Sequence, residues 1–302
     1  MNAAAQAVAR FMPRFAHQKI EVNGIGINCA VAGEGPPVLL MHGHPHTLII
    51  WRKVAQQIVD AGYTVVATDL RGYGDSDKPE GGAHHVNYSK REMARDQVGV
   101  MESLGYRRFH VIGHDRGGRV AHRMALDRPE AVASLTVIDI APTAVMYALT
   151  EKEFATRYFW WFFLIQPFDL PERMIRADVR FFMRNHIDGQ MADASAVDAE
   201  TFEEYLRCYA NPATIHAVCE DYRAAASIDL DHDAADAERK VSAPMLALWG
   251  AKGTVGKLFD VLGIWRDKAL SVEGAALDCK HSLQEEAPEA FLDHTLRFLA
   301  KH

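Results

Sequence analysis

Gly113-His114-Asp115-Arg116-Gly117-Gly118 is the run of this chain best suited to chemistry. It follows a short apolar run at 109–112 and leads straight into a helical pattern at 117–126. Glycine at 113 and 117 permits a tight strand-to-helix turn that lifts the central side chain clear of the sheet. Such an elbow commonly presents serine, which needs a base to remove its proton. Asp115 is already a nucleophile at neutral pH. Carboxylates attack alkyl carbons bearing a leaving group, or epoxide carbons, and form an ester that water must then hydrolyse. Taken alone, Asp115 could equally be a helix N-cap.

The ester step needs a base, and His281 follows the last expected strand, where it can deprotonate the attacking water. A third group must orient that imidazole and stabilise its cation. After the run at 244–249 no acid appears until Asp260, which falls on the next helix, whereas Asp139 ends the run at 135–138. The triad acid is therefore assigned to Asp139. Arg116 and Arg119, three apart at the start of the elbow helix, suit an anionic substrate, because guanidinium binds carboxylate bidentately. His42-Gly43-His44-Pro45 follows the run at 38–41, and the backbone N–H groups of His44 and Arg116 are the expected oxyanion donors. Cys279, two residues before His281, is a weaker alternative nucleophile.

These residues must be positioned by a sheet. Short runs at 20–22, 25–30, 38–41, 64–67, 109–112, 135–138, 244–249 and 270–276 read as strands. The first two form a hairpin turned at Asn23-Gly24. Helical patterns fit 50–61, 92–104, 117–126, 258–265 and 288–299. This alternation implies an α/β fold with a mostly parallel sheet covered on both faces. It is interrupted from 144 to 239 by a helical, aromatic-rich block. The expected organisation is a core at 1–143, a helical cap at 144–239, and the rest of the core at 240–302. A cap so placed lies over the carboxyl ends of the strands, where open α/β sheets bind ligands.

Composition narrows the function classes. A net charge of −7 argues against nucleic acid as a partner. No apolar stretch approaches the roughly 18 residues of a membrane span, and residues 1–12 lack the signature of a signal peptide. Cys29, Cys208, Cys219 and Cys279 are isolated, as in a reduced cytoplasmic protein. No metal or other cofactor is expected: the His42, His44, His46 row has no carboxylate or thiol at ligand spacing. His84-His85 reads as exposed loop.

Taken together, the motifs resemble the haloacetate (fluoroacetate-type) dehalogenases of the α/β-hydrolase superfamily along most of the chain. The resemblance rests on Arg71-Gly72-Tyr73-Gly74-Asp75-Ser76-Asp77-Lys78-Pro79, Gly113 through Arg119, Asp139-Ile140 with Pro142-Thr143, Cys219-Glu220-Asp221-Tyr222-Arg223-Ala224, and Glu285-Glu286-Ala287-Pro288. It implies halide displacement by Asp115, ester hydrolysis by His281 with Asp139, and a substrate carboxylate held by Arg116 and Arg119. The family's halide cradle is a His-Trp pair with a Tyr; Trp161 and Tyr222 match the last two, and Trp160 stands in place of the His. His44 replaces the usual Phe, and Lys280 the Gly before the catalytic His. A further cap Trp has no counterpart that can be aligned within 178–212.

The resemblance implies a small halogenated carboxylate as partner and is compatible with a homodimer. The main rival is an epoxide hydrolase sharing Asp115 and His281. It would use two cap tyrosines, Tyr222 with Tyr158, Tyr205 or Tyr209, and usually an acid after residue 249. A ligand-binding receptor built on the same fold is the non-enzymatic reading, and it predicts loss of a triad member.

Overall fold

The computed structural model describes residues 2–302. Eight strands form one sheet: β1 (Ala16–Val22), β2 (Ile25–Ala32), β3 (Pro37–Met41), β4 (Thr64–Thr68), β5 (Phe109–His114), β6 (Val132–Ile138), β7 (Met245–Gly250) and β8 (Val272–Leu277), in the order β1-β2-β4-β3-β5-β6-β7-β8. The hairpin turn at Asn23-Gly24 takes positive φ at both residues, as its sequence demands. β1 and β2 are antiparallel, and β2 also runs antiparallel to β4; from β4 onward every pairing is parallel. Val38–Met41 and Val65–Ala67 are wholly buried. Continuous apolar runs of this kind suit strands covered on both faces.

Register sets the position of the chemistry. Met41 pairs with Gly113, His114 with Ile138, and Ile138 with Leu248. The residues following β3, β5 and β6 thus emerge side by side at the carboxyl edge: His42-Gly43-His44, Asp115 and Asp139. Between β6 and β7 the chain is helical, from Thr143–Ala148 to Ile228–Ala235. No helix of the described residues is long and apolar enough to cross a membrane.

Two expected helices are broken. In place of one helix at 50–61 there is a 3-10 turn, Leu48–Trp51, and a short helix, Ala55–Asp60. Leu48, Ile49, Ile50 and Trp51 are all buried, and four consecutive apolar side chains cannot share one face of an α-helix. The pattern at 258–265 divides at Phe259, which is extended. Asp260 then caps helix Val261–Lys268, its carboxylate accepting the Gly263 N–H at 3.0 Å. His84 and His85 lie in a 3-10 segment, Ala83–Tyr88, where His85 pairs with Glu220 at 2.7 Å instead of facing solvent as a free loop residue.

Candidate active site

Asp115 sits between β5 and helix Arg116–Asp127 at φ 46°, ψ −113°. This is a strained conformation for a residue with a Cβ, of the kind that concentrates at functional sites. Close packing enforces the turn. A Cβ on Gly113 would lie 2.4 Å from the Gly117 carbonyl, and one on Gly43 would lie 2.4 Å from Cβ of Asp115. Asp115 does not cap its helix. Its Oδ2 instead accepts the His44 backbone N–H at 3.2 Å. Burial raises the Asp115 carboxyl pKa, but the charges of His281, Arg119 and Arg116 outweigh it and hold the group below its usual range.

Asp139 also has positive φ (51°) and meets His281: Nδ1 lies 2.6 Å from Asp139 Oδ2. The other carboxylate oxygen accepts the Gly250 N–H at 3.0 Å, tying Asp139 to the end of β7. Burial pushes Asp139 up. Burial also opposes a charge on His281, yet the hydrogen bond and charge of Asp139 overcome this and raise the imidazole above its ordinary value. Two such coupled groups titrate as a unit. The backbone carbonyl of His281 lies 3.0 Å from His114 Nε2, and its N–H donates to the Gln190 carbonyl, so strand and helical segment both fix the loop.

The two arginines are held differently. Arg116 is fully buried and grips Asp221 through Nε (2.8 Å) and Nη2 (2.7 Å), with its guanidinium 4.2 Å from the Tyr222 ring centre. Asp221 also accepts the Tyr73 hydroxyl at 2.6 Å and the Lys90 ammonium, and the cations of Arg116 and Lys90 draw its pKa down despite burial. Arg119 donates to the Ala141 carbonyl (2.9 Å) and Thr143 Oγ1 (3.0 Å), and lies 4.7 Å from the Trp161 ring centre. What remains is one buried nitrogen on each, Arg116 Nη1 and Arg119 Nε, without a partner among the described residues. Buried guanidinium donors without partners are costly. An anion would satisfy them.

Trp160, Trp161 and Tyr222 are buried in the helical segment. His44 stands between two hydroxyls, Tyr209 at 3.0 Å and Tyr222 at 3.5 Å, and burial keeps it neutral. Tyr205 is committed to Glu285 at 2.9 Å. Cys279 is buried, its thiol pushed up to about 12, so it offers little thiolate. His42, far from a metal ligand, accepts the Leu70 N–H at 3.1 Å. The side chains that do gather at metal-ligand spacing among the described residues are Asp75, Glu204 and Cys208. Arg207 pairs with both of those acids.

His186 was missed from sequence. It lies on helix Val179–Gly189, its ring 4.4 Å from Trp160 and 4.5 Å from His44. Burial pushes it down to about 3, and its Nδ1 has no partner. The signal was present: Met183, His186 and Ile187 are spaced i, i+3, i+4, a buried stripe containing one polar residue.

Comparison with known proteins places this geometry in context. Residues 36–288 match the family model described as alpha/beta hydrolase fold. The chain is 43% identical to a fluoroacetate dehalogenase from Burkholderia sp, over 94% of this chain and 92% of that one. It is 32% identical to a soluble epoxide hydrolase from Corynebacterium sp. (strain C12), covering 94% and 97%. The crystal structure of a candidate acyltransferase from Salmonella enterica superposes with a TM-score of 0.95 at 56% identity, covering 96% and 97%.

Proposed function

The chain belongs to the α/β hydrolase fold family, and on that footing we propose that it hydrolyses the carbon–halogen bond of a small 2-haloacid, such as a haloacetate, to the 2-hydroxy acid and halide. The observation that carries this reading is a buried, ionised carboxylate on a strained strand-to-helix turn, with two buried guanidiniums that each keep one nitrogen without a partner among the described residues. The similarity to a fluoroacetate dehalogenase supports it.

The substrate carboxylate is held by Arg116 and Arg119, with C2 turned to Asp115. An Asp115 oxygen attacks C2, the carbon–halogen bond breaks, and the halide leaves with the bonding pair toward Trp160, Trp161 and Tyr222. His281 then takes a proton from water, which attacks Cγ of the Asp115 ester. The backbone N–H groups of His44 and Arg116 stabilise the oxyanion. Collapse breaks the Cγ–O bond, His281 returns the proton to the leaving alkoxide, and Asp115 is restored. The helices between β6 and β7 act as the cap that closes this site.

The pH dependence follows from His281. It serves as base only when neutral, and its pKa is raised above the ordinary 6.5. Ester hydrolysis should therefore rise with pH through a midpoint above about 6.5. Asp115, with a lowered pKa, stays anionic across that range, so alkylation should be flat. Halide burst and steady-state rates measured across pH separate the two steps. A burst that titrates together with turnover would count against this assignment.

Incubation with fluoroacetate, chloroacetate, bromoacetate and a styrene-type epoxide tests the whole reading. Halide release is expected, with chloride and bromide freed at least as fast as fluoride. Fluoride is the hardest to expel, and neither the Trp160 indole nor the neutral His186 supplies a positive charge to receive it. Fluoroacetate clearly fastest would overturn that ranking. Diol without halide would support the second reading, an epoxide hydrolase. The Corynebacterium relative favours that reading; Tyr205 is engaged by Glu285 and Tyr209 by His44, which leaves Tyr158, its ring 6.5 Å from that of His281, as the second cap tyrosine it would use. Acyl transfer is disfavoured because a carboxylate attacking an acyl carbon gives a high-energy mixed anhydride.

A further inference from the structure

A cavity of about 400 Å³ opens from solvent onto His281, Trp160 and His186. Four of its lining residues are cationic (Arg157, Lys252, Lys257 and Lys280) and none is an aspartate or glutamate. In a chain of net charge −7 this is a local reversal of sign. Two of the four are partly neutralised at the surface: Arg157 pairs with Glu153 and Lys252 with Asp278, each at 2.8 Å. Lys257 and Lys280 have no ion pair among the described residues. Lys280 directly precedes His281 and lines the same cavity, so its charge stands at the threshold of the reacting groups. No role described so far uses either lysine.

We propose that this cavity is an anion-collecting antechamber, in which Lys257 and Lys280 hold a small monovalent anion, carboxylate or halide, at the mouth of the site. The overall field of the chain repels anions. A cleft lined by one sign of charge focuses the opposite potential locally and raises the concentration of counter-charged ligand. The incoming acid is drawn to the two lysines and passes Trp160 to Arg116 and Arg119. The same charges offer the departing halide a route out. Identifying the anion as substrate rests on the proposed dehalogenation; the collection of anions does not.

The test compares quenching of Trp160 fluorescence by iodide, an anion, and by acrylamide, which is neutral, in the intact protein and in a K257Q/K280Q variant. The Trp160 signal is obtained by difference from W160F. The antechamber predicts a fall of about three- to ten-fold in the iodide quenching constant at low ionic strength, no change for acrylamide, and convergence of the two proteins in high salt. Equal iodide quenching in both proteins would overturn it. So would a parallel loss for both quenchers, which signals a collapsed cavity, or a Trp160 signal that neither quencher reduces, which means that the cavity does not reach Trp160. In the same preparations kcat/KM for chloroacetate should fall by a similar factor with kcat preserved. Charge-selective quenching without any halide release would leave the antechamber standing and remove its assignment to a haloacid.

Discussion

Asp115→Asn should abolish halide release, lowering it on the order of 10⁴-fold or more, while haloacetate still binds. The amide has nearly the shape of the carboxylate, and asparagine tolerates positive φ. An amide oxygen, however, is a feeble nucleophile towards saturated carbon. In the proposed mechanism the carboxylate attacks because its surroundings keep it ionised: the cations of His281, Arg119 and Arg116 outweigh the effect of burial. Arg116 and Arg119 remain in the variant, and they no longer share the site with a competing negative charge. Substrate affinity measured by equilibrium binding should therefore hold or improve as turnover disappears. A variant that keeps more than a few per cent of wild-type halide release would mean that water attacks the substrate directly.

His281→Gln should divide the reaction in two. Displacement by Asp115 needs no base, so one equivalent of halide is released in a burst. Hydrolysis of the ester then stalls, with steady-state turnover falling by roughly 10²–10⁴-fold, the usual contribution of general base catalysis. Intact-mass analysis should find the protein heavier by one acid residue, carried on the peptide containing Asp115. Asp139→Asn should give a milder version, because it leaves the imidazole in place but removes the 2.6 Å partner that orients it and raises its pKa. Loss of the burst itself in His281→Gln would show that the histidine acts before the ester forms.

The fold was legible wherever one local signal decided an element. The central strands β3 to β7 stand where short apolar runs met turn residues, because a strand buried on both faces writes an unbroken run into the sequence; β1 and β8 are largely exposed or half-buried, and β1 extends four residues before the run expected at 20–22. Asp115 was legible for a related reason, since Gly113 and Gly117 have a steric purpose that only a tight elbow explains. Asp139 could be proposed because the chain after β7 lacks an acid until Asp260, and Asp260 turned out to be a helix cap. Other features depended on contacts between residues far apart in sequence. Nothing near Arg116 announces that Asp221, on helix Pro212–Ala225, anchors it together with Lys90 and Tyr73. Such a buried cluster is expensive to break, roughly 3–5 kcal/mol for loss of one partner. The helix expected at 50–61 is shorter because its first two residues, Ile50 and Trp51, belong to the buried 3-10 turn Leu48–Trp51. His186 was not legible because it lies in a segment without a family motif, and one polar residue in a buried helical stripe does not by itself mark a site.

That histidine bears on the halide cradle. Trp160 itself supplies no imidazole; the structure sets that of His186 against it from a different helix. In the proposed mechanism both groups would act as neutral donors, so halide would be received by hydrogen bonds from them without a countercharge on either.

The central claim, that Asp115 itself displaces the halide, is tested most directly by a single turnover. Enzyme in excess over chloroacetate is quenched after one cycle in water enriched in the heavy oxygen isotope. The mechanism predicts heavy oxygen in the Asp115 carboxylate and ordinary oxygen in the first 2-hydroxy acid released. Heavy oxygen in that first product, with none on Asp115, would contradict it.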